Sequence, residues 1–267
     1  MTDFRLALCC AALLSLLPTA QAQFAIAISP PRFELSAKPG ERLRQVIEIT
    51  NAAARPTTLL VRTADWQFQP DDSVVFQDAL QPGSCRPWVA IERRELTVAP
   101  SQPYRFRFEI APPADEAPRE CRFAIMLESK EATASPGSAG IPVAGRMGVI
   151  VYLGVGGVKP DLQVVSAALV TRNNTPAVGL QMRNGGDAHC RLDGFVTATD
   201  ASGRTYEATP ASTPILPGET RQVLLSLQVR GAPPGSTPPA PTLPLTLKGK
   251  LEWGKGQSTP VDLRIGP

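Results

Sequence analysis

Apolar residues recur at every second position through most of the first half of the chain, the period of a strand with one buried face. Phe24, Ile26 and Ile28 alternate with Ala and Ser, Pro30-Pro31 breaks the run, and Arg32-Phe33-Glu34-Leu35 resumes it. Lys38-Pro39-Gly40-Glu41 reads as a turn before a strand over 43–50. Further strands are expected at 57–66, 74–76, 88–92, 96–98 and 104–110. Tyr104 to Ile110 puts aromatics on one face and charges on the other, as a one-sided antiparallel sheet requires. Cys121 to Leu127 has the same form. After a small, polar loop over 130–140, Ile141, Val143, Met147, Val149, Val151 and Leu153 share one parity, so one long strand is expected over 141–153. Gly145 interrupts that set.

Gly154 to Pro160 contains adjacent glycines and a proline and reads as a linker without core residues. The same grammar then restarts, with strands expected at 161–170, 177–183, 194–199, 221–229, 243–253 and 260–265. Turn signals separate them at Asn184-Gly185-Gly186, Asp200 to Gly203 and Pro217-Gly218-Glu219, and 231–241 is a proline-rich loop. No helical window competes. The predicted class is all-β, two immunoglobulin-like β-sandwich domains in tandem, over 23–157 and 158–267. The 28 Pro and 21 Gly punctuate short strands in keeping with this.

The N-terminus has a different pattern. Arg5 precedes an apolar run of about a dozen residues, too short to span a bilayer, and Pro18 and Ala20-Gln21-Ala22 follow. Residues 1–22 are expected to be a cleaved signal peptide, giving a mature chain that starts at Gln23. Lipidation at Cys9 or Cys10 is the alternative, but both lie too early in the apolar run. No later segment approaches about eighteen consecutive apolar residues, so no membrane insertion of the mature chain is expected.

Charge and chemistry exclude more than they suggest. A formal net charge of +3, with both signs intermixed, gives no basic block for nucleic acid. Cys85, Cys121 and Cys190 survive cleavage, and an oxidising compartment favours a Cys85–Cys121 bridge, three free thiols being the alternative. Their spacings fit no zinc pattern, and no metal or cofactor is expected. His189 is the one imidazole in the chain. Its neighbour Cys190 would point to the opposite face of a strand, so the two form no thiol-protease dyad, and His189 is expected to be exposed beside a turn. No phosphate loop or nucleophile elbow is present, and no enzyme is predicted.

Ser29-Pro30-Pro31-Arg32, Gly148-Val149-Ile150-Val151-Tyr152-Leu153 and Leu216-Pro217-Gly218-Glu219-Thr220-Arg221, in this order of parts, resemble the periplasmic pilus-assembly chaperones of chaperone–usher (PapD-like) systems. The resemblance implies a periplasmic, non-enzymatic protein for pilus or fimbria biogenesis. Its expected partners are exported pilin-like subunits and an outer-membrane usher. In that family the last strand of the first domain is lent to a subunit that lacks a strand, a form of β-augmentation. The implied donor residues are Ile141, Val143, Met147 and Val149. A basic pair in the cleft between domains holds the subunit's C-terminal carboxylate. Arg32 matches its arginine, whereas Val149 stands where the lysine belongs, leaving Arg146 as the nearest cation. A second reading is an extracellular structural or adhesive tandem sandwich that binds carbohydrate through Trp66, Trp88 or Trp253, with Trp66 the best placed. A hydrolase grafted on a sandwich is a third.

Overall fold

The computed structural model describes residues 25–130, 133–134, 142–233, 235–254 and 256–266, with backbone alone at 133–134 and 142–143. The predicted signal peptide, most of the 130–140 loop and Ile141 lie outside the described residues. The strands are β1 (Ile26–Ser29), β2 (Arg32–Ala37), β3 (Leu43–Asn51), β4 (Thr57–Phe68), β5 (Val74–Gln77), β6 (Val89–Ile91), β7 (Glu95–Val98), β8 (Tyr104–Ile110), β9 (Arg119–Ser129), β10 (Thr133–Ala134), β11 (Pro142–Val143) and β12 (Arg146–Val155). The second half adds β13 (Leu162–Arg172), β14 (Thr175–Asn184), β15 (Leu192–Asp193), β16 (Val196–Thr199), β17 (Thr205–Pro210), β18 (Thr220–Val229), β19 (Leu245–Trp253) and β20 (Gln257–Ile265).

The chain is all-β and builds two sandwiches. In the first, a sheet ordered β1-β3-β8-β6 faces one ordered β2-β12-β9-β4-β5, with β7 also on β4. Alternation explains the core between them: Phe106, Phe108 and Ile110 of β8 and Ile47 and Ile49 of β3 meet Phe123, Ile125 and Leu127 of β9 and Val149, Val151 and Leu153 of β12. Phe33 packs edge-on to Phe108, with ring centroids 5.3 Å apart. The first edge strand changes sheets at the cis Ser29–Pro30 bond, β1 pairing with β3 and β2 running parallel to β12. In the second sandwich one eight-stranded sheet wraps around a core of Val178, Leu180 and Met182 of β14, Tyr206 of β17, Val223 and Leu225 of β18, and Leu245 and Leu247 of β19.

Both sandwiches share a buried asparagine that ends a strand and ties down the turn entering its neighbour. Asn51 donates from Nδ2 to Arg55 O and Val98 O and accepts from Ala53 N–H. Asn184 donates to Ala188 O and Ile215 O and accepts from Gly186 N–H and Asp161 N–H. Their own carbonyls accept from Ser101 and Gly218. Both side chains are fully buried, and each satisfies one carbonyl in the interior, Val98 O or Ile215 O, along with part-buried groups nearer the surface.

Three expectations are corrected. The long strand over 141–153 is two strands: Ala144-Gly145 interrupts it, β11 pairs with β10, and β12 runs on past Leu153 to Val155. A glycine weakens strand continuity, and here Gly145 O accepts from Ser129 N–H at 2.9 Å. The linker carries core after all, since Val155 is fully buried and paired on both sides. Beyond it, Asp161 O and Lys159 O accept from Gly185 N–H and Asp187 N–H, and a Cβ on Gly186 would sit 2.3 Å from Lys159 O. Finally, β17 was not anticipated, because Tyr206 and Ala208 are its sole inward apolar residues.

Candidate functional site

The strand that carries the site is β12. It pairs with β9 along its whole length, Arg146↔Glu128 to Val155↔Arg119. On its other flank β2 covers Ile150 to Val155 and stops. Ile150 N–H donates to Pro31 O, so the backbone of Ile150 faces that flank. By the two-residue period, the backbone groups of Gly148 and Arg146 face it too. Among the described residues no strand pairs with that flank from Arg146 to Val149. An edge of this kind is a template for another strand.

Side chains of β12 alternate between two environments. Val149 is sealed inside the first core, and Met147 packs against it half-buried. Of Val143 the described backbone pairs with Thr133. Arg146 lies at the start of the strand, with its guanidinium 2.8 Å from Glu128 and 3.3 Å from Asp78 and stacked over Phe76. On the outward face Ile150 and Tyr152 join Trp66, Met126, Phe68 and Phe76 in a third apolar cluster, which Leu216 of the second sandwich completes. That cluster explains why Phe123 to Leu127 is buried on both faces, where a simple one-sided sheet would alternate.

At the other end of β12 the two sandwiches enclose a cleft of about 1090 Å³ whose lining includes Arg32, Glu34, Glu120, Tyr152, His189 and Arg191. Two guanidiniums and an imidazole converge on Glu34 Oε1: Arg32 Nε at 2.8 Å, Arg191 Nη1 at 2.5 Å and His189 Nε2 at 3.6 Å. His189 and then the two arginines hold the Glu34 carboxyl at a pKa of about 2, against the opposing cost of burial. His189 Nδ1 lies 2.6 Å from Glu120 Oε2, which also accepts the His189 backbone N–H. The imidazole stacks on Tyr152, with centroids 3.6 Å apart, and Tyr152 Oη accepts from Arg191 Nη2. Burial raises the Tyr152 pKa despite that cation. A guanidinium pair of this kind is suited to bidentate capture of a carboxylate, a place Glu34 now holds.

These contacts sort the candidate residues. Arg32 lies in the cleft, half-exposed, while Arg146 is not among the cleft's lining residues and is tied to Glu128 and Asp78. Arg191 was not anticipated; 157 residues separate it from Glu34, and a lone arginine beside a turn carries no sequence signal. His189 is not exposed as expected: its side chain is 8% accessible, because two glutamates and a tyrosine of the first sandwich enclose it. Cys85 and Cys121 form the expected bridge, with Cα atoms 5.9 Å apart. Cys190 is a buried free thiol whose pKa burial pushes up to about 11. The tryptophan platform is absent: Trp66 and Trp253 are buried and Trp88 is half-buried under Arg119. Trp66 instead donates to Phe123 O, which removes the feature a carbohydrate-binding reading needs. Among the described residues no cluster has the makings of a metal site, and no helix is long and apolar enough to cross a membrane.

No protein-family model and no curated protein matches the chain. Among solved structures it is similar to the class 5 fimbriae chaperone CfaA, at 9% identity and a TM-score of 0.48, over 91% of this chain and 99% of that one. A chain of the Salmonella enterica SafA pilin–SafB chaperone complex matches at 14% identity and a TM-score of 0.48, over 92% and 98%. The Pseudomonas aeruginosa CupB2 chaperone matches at 10% identity and a TM-score of 0.42, over 88% and 98%. Each of these matches runs along most of this chain and nearly all of the other.

Proposed function

We propose that this protein is a periplasmic chaperone that binds exported pilin-type subunits by lending them the free flank of β12. The observation that carries the reading is the half-covered strand: β2 stops at Ile150, and the outward N–H and C=O of Gly148 and Arg146 have no strand beside them among the described residues. A subunit strand laid there would gain main-chain hydrogen bonds, and side chains of the 141–149 stretch would supply alternating apolar contacts. Val149 is committed to its own core, so Ile141, Val143 and Met147 are the proposed donors. Arg32 is the proposed carboxylate anchor, with Arg191 beside it in place of the more distant Arg146. The two units of the proposal are residues 23–157 and 158–267, and an outer-membrane usher is the proposed recipient of the loaded complex.

The test is co-expression with pilin-like proteins encoded nearby, followed by co-purification. Arg146→Pro removes an outward N–H while sparing the ladder to β9, and Arg146→Ala controls for the lost side chain. The expected result is a subunit retained by the parent and by Arg146→Ala, with yield reduced at least about tenfold by Arg146→Pro, the equivalent of one strong or two ordinary hydrogen bonds. Failure of every exported subunit to co-purify, together with indifference to Arg32→Ala, would overturn the reading.

A further inference from the structure

We propose that His189 is a protonation-operated latch between the two sandwiches, closing the cleft as imidazolium and letting it widen as neutral imidazole. The residue sits on the second sandwich, on the segment between β14 and β15, yet its side-chain partners all belong to the first. Nδ1 meets Glu120 of β9, Nε2 faces Glu34 of β2, and the ring lies against Tyr152 of β12 at an interplanar angle of 16°. An imidazolium carries two N–H groups and can address both carboxylates together. A neutral imidazole carries one and presents a lone pair at its other nitrogen.

The site decides which contact fails. Glu120 Oε2 also holds the His189 backbone N–H, at 2.8 Å, so the remaining proton stays on Nδ1. The Nε2 lone pair then faces the Glu34 charge, and an attraction becomes a repulsion. Arg191, also on the second sandwich, keeps its tie to Glu34 and Tyr152 in both states, so the lost proton weakens the closure without abolishing it. Arg32 and Arg191 are engaged on the same Glu34 oxygen, Arg191 also on Tyr152 Oη, and Arg122 stacks over Trp66 behind Tyr152. Cys190, adjacent in sequence, stays a neutral thiol well beyond this range. Burial alone would lower the His189 pKa, yet the two glutamates outweigh it and lift it above the ordinary value.

The latch would act on the turn that joins the two sandwiches. Gly156 and Gly157, at φ of 76° and 80°, form the turn leaving β12. Away from the cleft, Arg221 of β18 reaches Asp72 at 3.1 Å and stacks on Phe68, 4.3 Å from its centroid, a contact about which the halves can pivot.

Because His189 is the one histidine of the sequence, an NMR titration of histidine-labelled mature protein reports this group alone. Small-angle scattering over the same pH range reads the separation of the sandwiches. The expected result is a single imidazole midpoint above about 6.5, with the radius of gyration rising through that midpoint as pH increases. In His189→Gln the radius should be flat with pH. Should that variant fail to fold, Glu34→Gln carries the test, and the midpoint should fall toward the ordinary value. A midpoint at or below the ordinary value, a flat radius in the parent, an unchanged transition in His189→Gln, or an unmoved midpoint in Glu34→Gln would each overturn the latch. None of these readouts requires a bound subunit, so they stand or fall apart from the chaperone reading.

Discussion

Asn184 shows how much one side chain can organise in this protein. Its amide serves four backbone groups: Asp161 beyond the linker, Gly186 and Ala188 in the turn, and Ile215 before β18. Replacing it by Ala leaves Ile215 O unpaired in the interior, at about 1–3 kcal/mol, and removes three part-buried bonds worth about 1 kcal/mol each. Asn184→Ala is expected to cost at least about 3 kcal/mol in urea unfolding, well above an average core truncation of one methyl group. Asn51→Ala should cost less, because its amide serves three such groups. Equal losses would show that the Asp161 contact adds nothing. In the sequence each asparagine simply ends an apolar strand. Its value comes from carbonyls as far away as Val98 and Ile215, which no local pattern names.

At the scale of elements, β12 is asymmetric along its length. Its C-terminal half lies between β9 and β2, while its N-terminal half has β9 alone among the described strands. Its outer face is also crowded, since a Cβ on Gly148 would sit 2.4 Å from the Phe76 ring and 3.1 Å from Met126 Sδ. Gly148→Ala is therefore expected to destabilise the first sandwich by about 1–3 kcal/mol through overpacking. Phe76→Leu, which shortens the opposing ring, should recover most of that loss in a double-mutant cycle. Strict additivity of the two changes would show that Phe76 is not what Gly148 accommodates. Period-two reading found both halves of β12 and their inward side chains, because burial on one face is written directly into the alternation. Gly145 showed as an interruption of the pattern, yet whether the strand breaks there, and where β2 stops, depend on which strand lies alongside.

For the whole molecule, the interface between sandwiches should set a pH window for stability. Glu34 has a depressed folded pKa, so its contribution is complete above its unfolded value of about 4.3 and is lost as pH falls toward about 2. His189 has a raised folded pKa, so its contribution is complete below about 6.5 and is lost as pH rises through the folded value. Together the two groups place their greatest stabilisation between about pH 4.5 and 6.5. Calorimetric Tm values should decline from pH 6 toward pH 9, and His189→Gln should remove the part of the decline that belongs to the imidazole. Glu34→Gln should flatten the acid side, by a modest amount because the carboxylate is nearly half exposed. A parent profile with no alkaline decline would remove His189 from the balance.

Alternation, turn chemistry and the compartment argument for cysteine pairing determined the all-β class, most strand positions and the Cys85–Cys121 bridge, because each is a local or compositional constraint. Arg32 was singled out by the family resemblance, not by any of these patterns. Tertiary structure decided the rest: burial of His189, convergence of Arg32 and Arg191 on Glu34, burial of two of the three tryptophans, and the bare flank of β12. Each of these depends on residues from different sandwiches or different sheets meeting in space, and a single strand's pattern holds no record of the surface it will be pressed against.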